Sequence, residues 1–347
     1  MAGSLLTYSG IVTKTRAMQS HLITMDDYHK IANFDTTADF INYLKTKNGY
    51  DDIFQTVDEQ NLHRGKIEEY LTNSVYLSFA KLYRFANQKQ RAVLNFKFLR
   101  YEVNILKICL RNVFSENADS YDLSMFEPFF HEHSDLKVAE LASAKSMDEF
   151  INLLKDTKYY SLFEKLRNSN HETLHDFEVQ LDLYYYTRVW KAKDQLLKGI
   201  NRRSFTAAFG SELDLLNIIW IYRSKKFYDI ESAKVLASII PIGYKLKRDE
   251  LKKLIESVSV EDFIRILKTT YYANICGDLD NISMEVSYKK IMSKIHATNA
   301  TKYSSSMAPV LNYLFLKDQE LDRLTTALEC IRYKLEPERT IKYILEQ

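Results

Sequence analysis

The chain has 347 residues, with 48 basic against 46 acidic side chains and a net charge of +2, so it lacks the bulk positive charge of a nucleic-acid binder or of a protein drawn to an anionic membrane surface. An apolar share of 46% is ample for a core, while 8 glycines and 4 prolines fall far below the usual shares of roughly 7% and 5%. Few breakers, abundant Leu, Ile, Lys, Glu and Tyr, and little period-2 alternation predict an all-α fold with long helices.

The N-terminus lacks the apolar stretch and small-residue cleavage site of a signal peptide. In chain order, the first cap signal is Asp35-Thr36-Thr37, just before Phe40-Ile41 and Leu44-Lys45. Residues 66–86 then carry Ile67, Tyr70, Leu71, Val75, Leu77 and Leu82 at helical spacing, and a second long helix is predicted over 91–113. Pro128 should start or interrupt a helix. Ser146, with Glu149 three residues on, fits a capping box before Phe150-Ile151 and Leu154-Lys155. Long helices follow over 176–197 and 204–227. The aromatic run Tyr184-Tyr185-Tyr186 with Trp190 falls on the apolar stripe of the first, which favours packing over base stacking. The longest nearly apolar run, 215–222, is broken by Asn217 and is far shorter than the roughly 20 residues that span a bilayer. Pro241 is placed like Pro128, and Ser259 caps the helix of Phe263-Ile264 and Leu267-Lys268. Cys109, Cys276 and Cys330 are odd in number, widely spaced and without a CxxC, which reads as reduced, mostly buried cytosolic thiols.

Phe-Ile-x-x-Leu-Lys therefore occurs three times, about every 110 residues. Each copy continues with an apolar residue and a Glu: Ile67-Glu68, Phe177-Glu178, Met284-Glu285. Each then carries Glu-x-Asn/Asp-x-Leu: Glu102/Asn104/Leu106, Glu212/Asp214/Leu216, Glu320/Asp322/Leu324. The steps between these last two landmarks are 34, 34 and 35 residues. The steps from the Phe to the first Glu are 28, 28 and 22 residues. Ordered landmarks at near-constant spacing mark one structural unit used three times. The expected units are 1–120, 121–235 and 236–347.

On a helix Glu102 and Leu106 share a face, whereas Asn104 points about 200° away from Glu102, so one copy holds no paired-carboxylate site. An arginine follows each landmark: Arg111, Arg223, Arg332. Two roles are open for these charges: tying helices or neighbouring units together, or lining a central opening. One motif has the form of a catalytic site. His171-Glu172-Thr173-Leu174-His175 matches H-E-x-x-H, which on a helix offers two imidazoles and a general base to zinc. It lies in a polar stretch, lacks a suitable third ligand downstream, and has no counterpart at Asn61-Leu62-His63-Arg64-Gly65. His131-x-His133 has no ligand framework, and no phosphate loop or nucleophile motif is present.

Three stretches resemble a known family. Tyr8, Arg16-Ala17-Met18, Ser20 and Leu22, followed by Asp26-Asp27, look like its N-terminal pattern. Glu212-Leu213-Asp214-Leu215-Leu216-Asn217-Ile218, running into Trp220-Ile221-Tyr222-Arg223, is the strongest match, and Ile240-Pro241-Ile242-Gly243-Tyr244 looks like the turn that follows. Nearly end to end, the chain resembles the C subunit of prokaryotic V/A-type ATP synthases, which corresponds to the d subunit of eukaryotic V-type ATPases. The resemblance implies an all-α body of three similar subdomains about a pseudo-threefold axis, shaped as a funnel. It implies a non-catalytic rotor part on the cytoplasmic face, without nucleotide or other cofactor. Its partners would be the D and F subunits of the central shaft and the proteolipid ring, with torque passed between them for H⁺ or Na⁺ transport. Interface candidates drawn from the landmarks are Arg16, Glu102, Arg111, Glu212, Asp214, Arg223, Glu320 and Asp322. The alternatives are a general helical-repeat scaffold or a zinc hydrolase using His171, Glu172 and His175.

Overall fold

A computed structural model describes residues 2–55, 57–58, 62–115, 123–168, 173–228, 230–276 and 283–346. Among the described residues it is all-α, with 18 α-helices and no strand.

The first sequence copy supplies α1 (Ala2–Gln19), α2 (Met25–Ile31), α3 (Thr37–Lys45), α4 (Asp51–Phe54), α5 (Arg64–Phe85) and α6 (Gln88–Phe114). The second supplies α7 (Glu127–His133), α8 (Val138–Ser143), α9 (Met147–Leu153), α10 (Tyr160–Arg167), α11 (Leu174–Leu196) and α12 (Gly199–Arg223). The third supplies α13 (Ser232–Ser238), α14 (Arg248–Glu256), α15 (Val260–Leu267), α16 (Met284–Lys302), α17 (Ala308–Arg332) and α18 (Pro337–Leu345). In each copy a run of short helices precedes a pair of long ones, with the 18-residue α1 ahead of that run in the first copy and α18 after the pair in the third. The bounds of the long helices predicted from periodicity agree within a few residues. At its end α12 continues into a π-helical turn, Ser224–Tyr228.

Local chemistry explains where the helices begin. Thr36 caps α3 through a full capping box with Asp39. Ser146 accepts the Glu149 N–H at 3.2 Å, but the Glu149 carboxylate reaches one residue further back, to the Lys145 N–H at 2.9 Å. Ser259 and Asp262 repeat this geometry, with Asp262 accepting the Val258 N–H at 3.2 Å. Pro128 stands in the first turn of α7, where its missing N–H has no partner to lose. Pro241 instead lies in the non-helical connection between α13 and α14. The repeated Phe and Leu are core residues: Phe40, Phe150, Phe263, Leu44, Leu154 and Leu267 are fully buried.

Two compact units divide the chain: Met1–Asn87 with Gly199–Glu212 and Tyr272–Gln347, and Gln88–Lys198 with Leu213–Tyr271. Neither is one sequence copy. In the first unit α17, from the third copy, packs on α1, α3 and α5 of the first copy. Its core joins Phe40, Leu44, Phe54 and Leu71 to Leu324, Leu328 and Ile331. In the second unit α6, from the first copy, packs on α8 and α11 of the second. The second long helix of one copy therefore meets the early helices of another, and the burial of each apolar face depends on a partner distant in sequence.

Candidate functional site

In each copy the second long helix carries a buried carboxylate that meets another copy. Glu102 of α6 is 2% exposed. It accepts the Ser134 hydroxyl at 2.5 Å, the Lys158 ammonium at 2.5 Å and the Tyr159 hydroxyl at 3.0 Å. Ser134 in turn accepts the Leu136 N–H at 3.2 Å. Asp214 of α12 is fully buried and accepts three successive backbone N–H groups, from Tyr244, Lys245 and Leu246, at 2.9, 2.6 and 2.9 Å. Glu320 of α17 accepts the Ile23 N–H at 2.5 Å, the Tyr50 hydroxyl at 2.6 Å and the Lys317 ammonium at 2.7 Å.

Glu320 and Asp214 accept the Ile23 and Leu246 N–H groups directly, and Glu102 reaches the equivalent Leu136 N–H through the Ser134 hydroxyl. Ile23, Leu136 and Leu246 each stand one residue before the cap of a short helix, α2, α8 and α14, and all three are buried. The residues four positions inside those helices, Tyr28, Leu141 and Leu251, are buried too, the positions of a hydrophobic staple. Each carboxylate thus clasps the entry of a staple helix in another copy. The first copy's carboxylate holds the second copy, the second holds the third, and the third holds the first.

Electrostatics makes the clasps costly to break. A buried carboxylate is tolerated only when its oxygens are met by donors, and here each is met by three. Burial pushes the Tyr50 and Tyr159 hydroxyls well above the usual tyrosine range, and the adjacent Glu320 and Glu102 charges push them further. Both therefore stay protonated and keep donating. Lys317 also lies over the Tyr50 ring, 4.1 Å from its centroid.

The sequence landmarks locate this chemistry with one shift. In the first and third copies the clasp is the leading Glu, but in the second it is Asp214, two residues later, while Glu212 is half-buried. Two residues on a helix are about 200° apart, so α12 offers a different face of the landmark. Asp214 works because the 240–246 connection folds tightly beneath it. A Cβ at Gly243 would stand 2.5 Å from the Leu246 carbonyl oxygen, so that turn requires glycine. Asn217 completes the seam by donating to the Ile240 carbonyl at 2.9 Å and accepting its N–H at 2.8 Å. Its signal in the sequence is the lone amide inside the apolar run 215–222.

The remaining landmark charges lie outside. Arg16, Arg111, Arg223 and Asp322 are exposed. Arg111 pairs with Glu178 at 2.8 Å, and Asp322 stands 3.9 Å from Lys289. Asp182 of α11, which belongs to no landmark, bridges Arg100 at 2.8 Å and Lys107 at 2.6 Å. Tyr185 and Tyr186 are buried, with the Arg100 guanidinium 5.3 and 5.6 Å from their ring centroids.

His171 and Glu172 lie outside the described residues; His175 is the second residue of α11, whose cap is Thr173. Among the described residues no cluster of three or more His, Cys, Asp or Glu side chains could hold a metal ion. No helix of the described residues is long and apolar enough to cross a membrane.

The family described as ATP synthase (C/AC39) subunit matches residues 11–343. The A-type ATP synthase C subunit of Methanosarcina acetivorans is 27% identical over 327 residues, covering 91% of this chain and 87% of that protein. The C subunit of Archaeoglobus fulgidus is 24% identical over 335 residues, covering 93% and 91%. That of Thermococcus kodakarensis is 21% identical over 347 residues, covering 98% and 90%. With the match running over nearly the whole chain, this protein belongs to the ATP synthase (C/AC39) subunit family, a non-catalytic part of that complex.

Proposed function

We propose that this chain is the rotor subunit that joins the central shaft, built of the D and F subunits, to the proteolipid ring on the cytoplasmic face of the membrane. It passes torque between them during H⁺ or Na⁺ transport. The family match over residues 11–343 carries this reading. The three copies, 1–120, 121–235 and 236–347, surround a pseudo-threefold axis as a funnel. The clasp order supports such a body, because the third copy's Glu320 returns to Ile23 and Tyr50 of the first. An adaptor under torque needs stiffness, and buried, fully satisfied carboxylates resist sliding of one helix pair over the next.

The landmark residues divide between two roles. Glu102, Asp214 and Glu320 act through the rigidity of the body. Arg16, Arg111, Arg223 and Asp322, being exposed, and Glu212, half-buried, are candidates for polar contacts with shaft or ring, which suit an interface that must form and release. The test is capture of purified D/F and of detergent-solubilised proteolipid ring by the tagged chain. Binding to both is expected; binding to neither would leave a general helical scaffold as the better description.

A further inference from the structure

The arginines that follow the three landmarks meet different fates. Arg111, near the end of α6, ion-pairs with Glu178, and three residues later Phe114 meets Phe177 with ring centroids 5.9 Å apart. The end of α6 thus receives an adjacent apolar–acidic pair from α11, with Phe177 fully covered at 2% exposure. Arg332, at the end of α17, lies 3.7 Å from Glu329, which also pairs with Arg64, itself bonded to Glu68 of α5 at 2.8 Å. Arg223, at the end of α12, is exposed and makes no ion pair among the described residues.

Beside Arg223 lies a groove of about 540 Å³, with Trp220, Val235 and Ile239 among its lining. The π-helical turn ends this helix in exposed rings, Phe227 at 59% and Tyr228 at 63%, and Leu236 is 60% exposed. Tyr228 lines the groove, its ring meets Phe227, and Leu236 follows the lining residue Val235 in the chain, so exposed apolar side chains border the groove, a feature of surfaces that are covered in use. The charged side chains of the groove are Lys107 and Arg223 against Glu178 and Asp182. Glu178 is already met by Arg111, and Asp182 by Arg100 and Lys107, so among the described residues Arg223 is left with no carboxylate in ion-pair range.

We propose that the end of α12 docks a helix of another protein of the complex that presents an apolar side chain followed directly by a glutamate or aspartate. The apolar side chain enters the groove and the carboxylate pairs with Arg223, as Phe177 and Glu178 do with Phe114 and Arg111 inside this chain. The inference goes beyond the rotor reading, since it defines the chemistry of the docked segment and not which partner carries it.

The test places the photoreactive residue p-benzoylphenylalanine at Leu236 of the full chain, expressed with the assembled enzyme, and maps crosslinked peptides by mass spectrometry in membrane and soluble fractions. The expected result is a crosslinked segment with Asp or Glu within four residues of the attacked apolar side chain. Arg223→Glu should lower its yield by about tenfold or more, Arg223→Gln by less, and Arg in place of the partner carboxylate should restore the Arg223→Glu yield. Melting curves of the Arg223 variants should match wild type, because the side chain is exposed. The proposal is overturned by an absent crosslink while the chain remains in the enzyme, by a crosslinked segment without a carboxylate, or by a yield indifferent to Arg223→Glu. If the chain is absent from the enzyme, the rotor reading fails, and the same criteria applied to the soluble fraction still decide the groove.

Discussion

The Tyr50 hydroxyl donates a 2.6 Å hydrogen bond to Glu320 across 270 residues of sequence, and Lys317 donates to both, at 2.8 and 2.7 Å. Lys317 is 4% and Glu320 3% exposed, so neither charge has water to fall back on. Glu320→Ala should therefore cost about 3–5 kcal/mol, the usual penalty for leaving a buried charge without its partner. Tyr50→Phe removes one donor only and should cost about 1–2 kcal/mol. Urea unfolding at neutral pH reads both, and a Glu320→Ala midpoint equal to wild type would show that the clasp carries no weight.

Asp214 offers a different measure of a clasp, because it accepts hydrogen bonds from three successive backbone N–H groups. Asp214→Asn keeps the shape but removes the charge and turns an NH₂ group toward those donors. A loss of about 2 kcal/mol is expected. Gly243→Ala should destabilise the same turn, since its Cβ meets the Leu246 carbonyl. Amide exchange at Tyr244, Lys245 and Leu246 should accelerate in both variants before the long helices respond.

Asp27 couples stability to pH. Burial disfavours its charge, but hydrogen bonds from Lys47, Tyr43 and Thr24 outweigh burial and hold the carboxyl well below the usual aspartate range. Because the folded pKa lies below the unfolded one, the stabilisation is complete above the unfolded value of about 3.9 and disappears as pH falls from there toward the folded pKa. Asp27→Asn should lower stability by about 2 kcal/mol at pH 7. The gap from wild type, followed by thermal melts, should shrink as pH drops below about 4.

The three cysteines should be silent in the native protein. All are buried, and burial pushes the Cys109 thiol up to about 12, far from the reactive thiolate at neutral pH. A thiol-specific chromogenic reagent should label none of them rapidly in buffer and all three in denaturant. Fast labelling of Cys109 in buffer would mean that α6 opens locally.

Much of the fold is legible residue by residue. Thr36, Ser146 and Ser259 mark helix starts because capping is local chemistry. Phe40, Phe150 and Phe263 mark core positions because a large ring at helical spacing among apolar neighbours has nowhere else to go. The clasps are harder to read. Glu102 and Glu320 belong to a visible landmark, but Asp214 replaces Glu212 in the second copy, and that choice depends on how the 240–246 turn folds beneath α12. Ser134, Tyr50 and Lys158 carry no signal of their own, since their role appears only when a carboxylate from another copy arrives. The ends of the long helices behave likewise: Arg111 and Arg223 occupy equivalent places in the sequence, yet one is paired and the other faces solvent.

Composition, capping and periodicity act over a few turns of chain, and from them alone this protein reads as helical and as one plan repeated three times; the resemblance to its family rests on particular stretches, Glu212–Arg223 above all. Which copies hold one another is a matter of tertiary packing. A hydrogen bond between Glu320 and Ile23 is set by how α17 lies against the first helices, and no local rule spans the 297 residues between them.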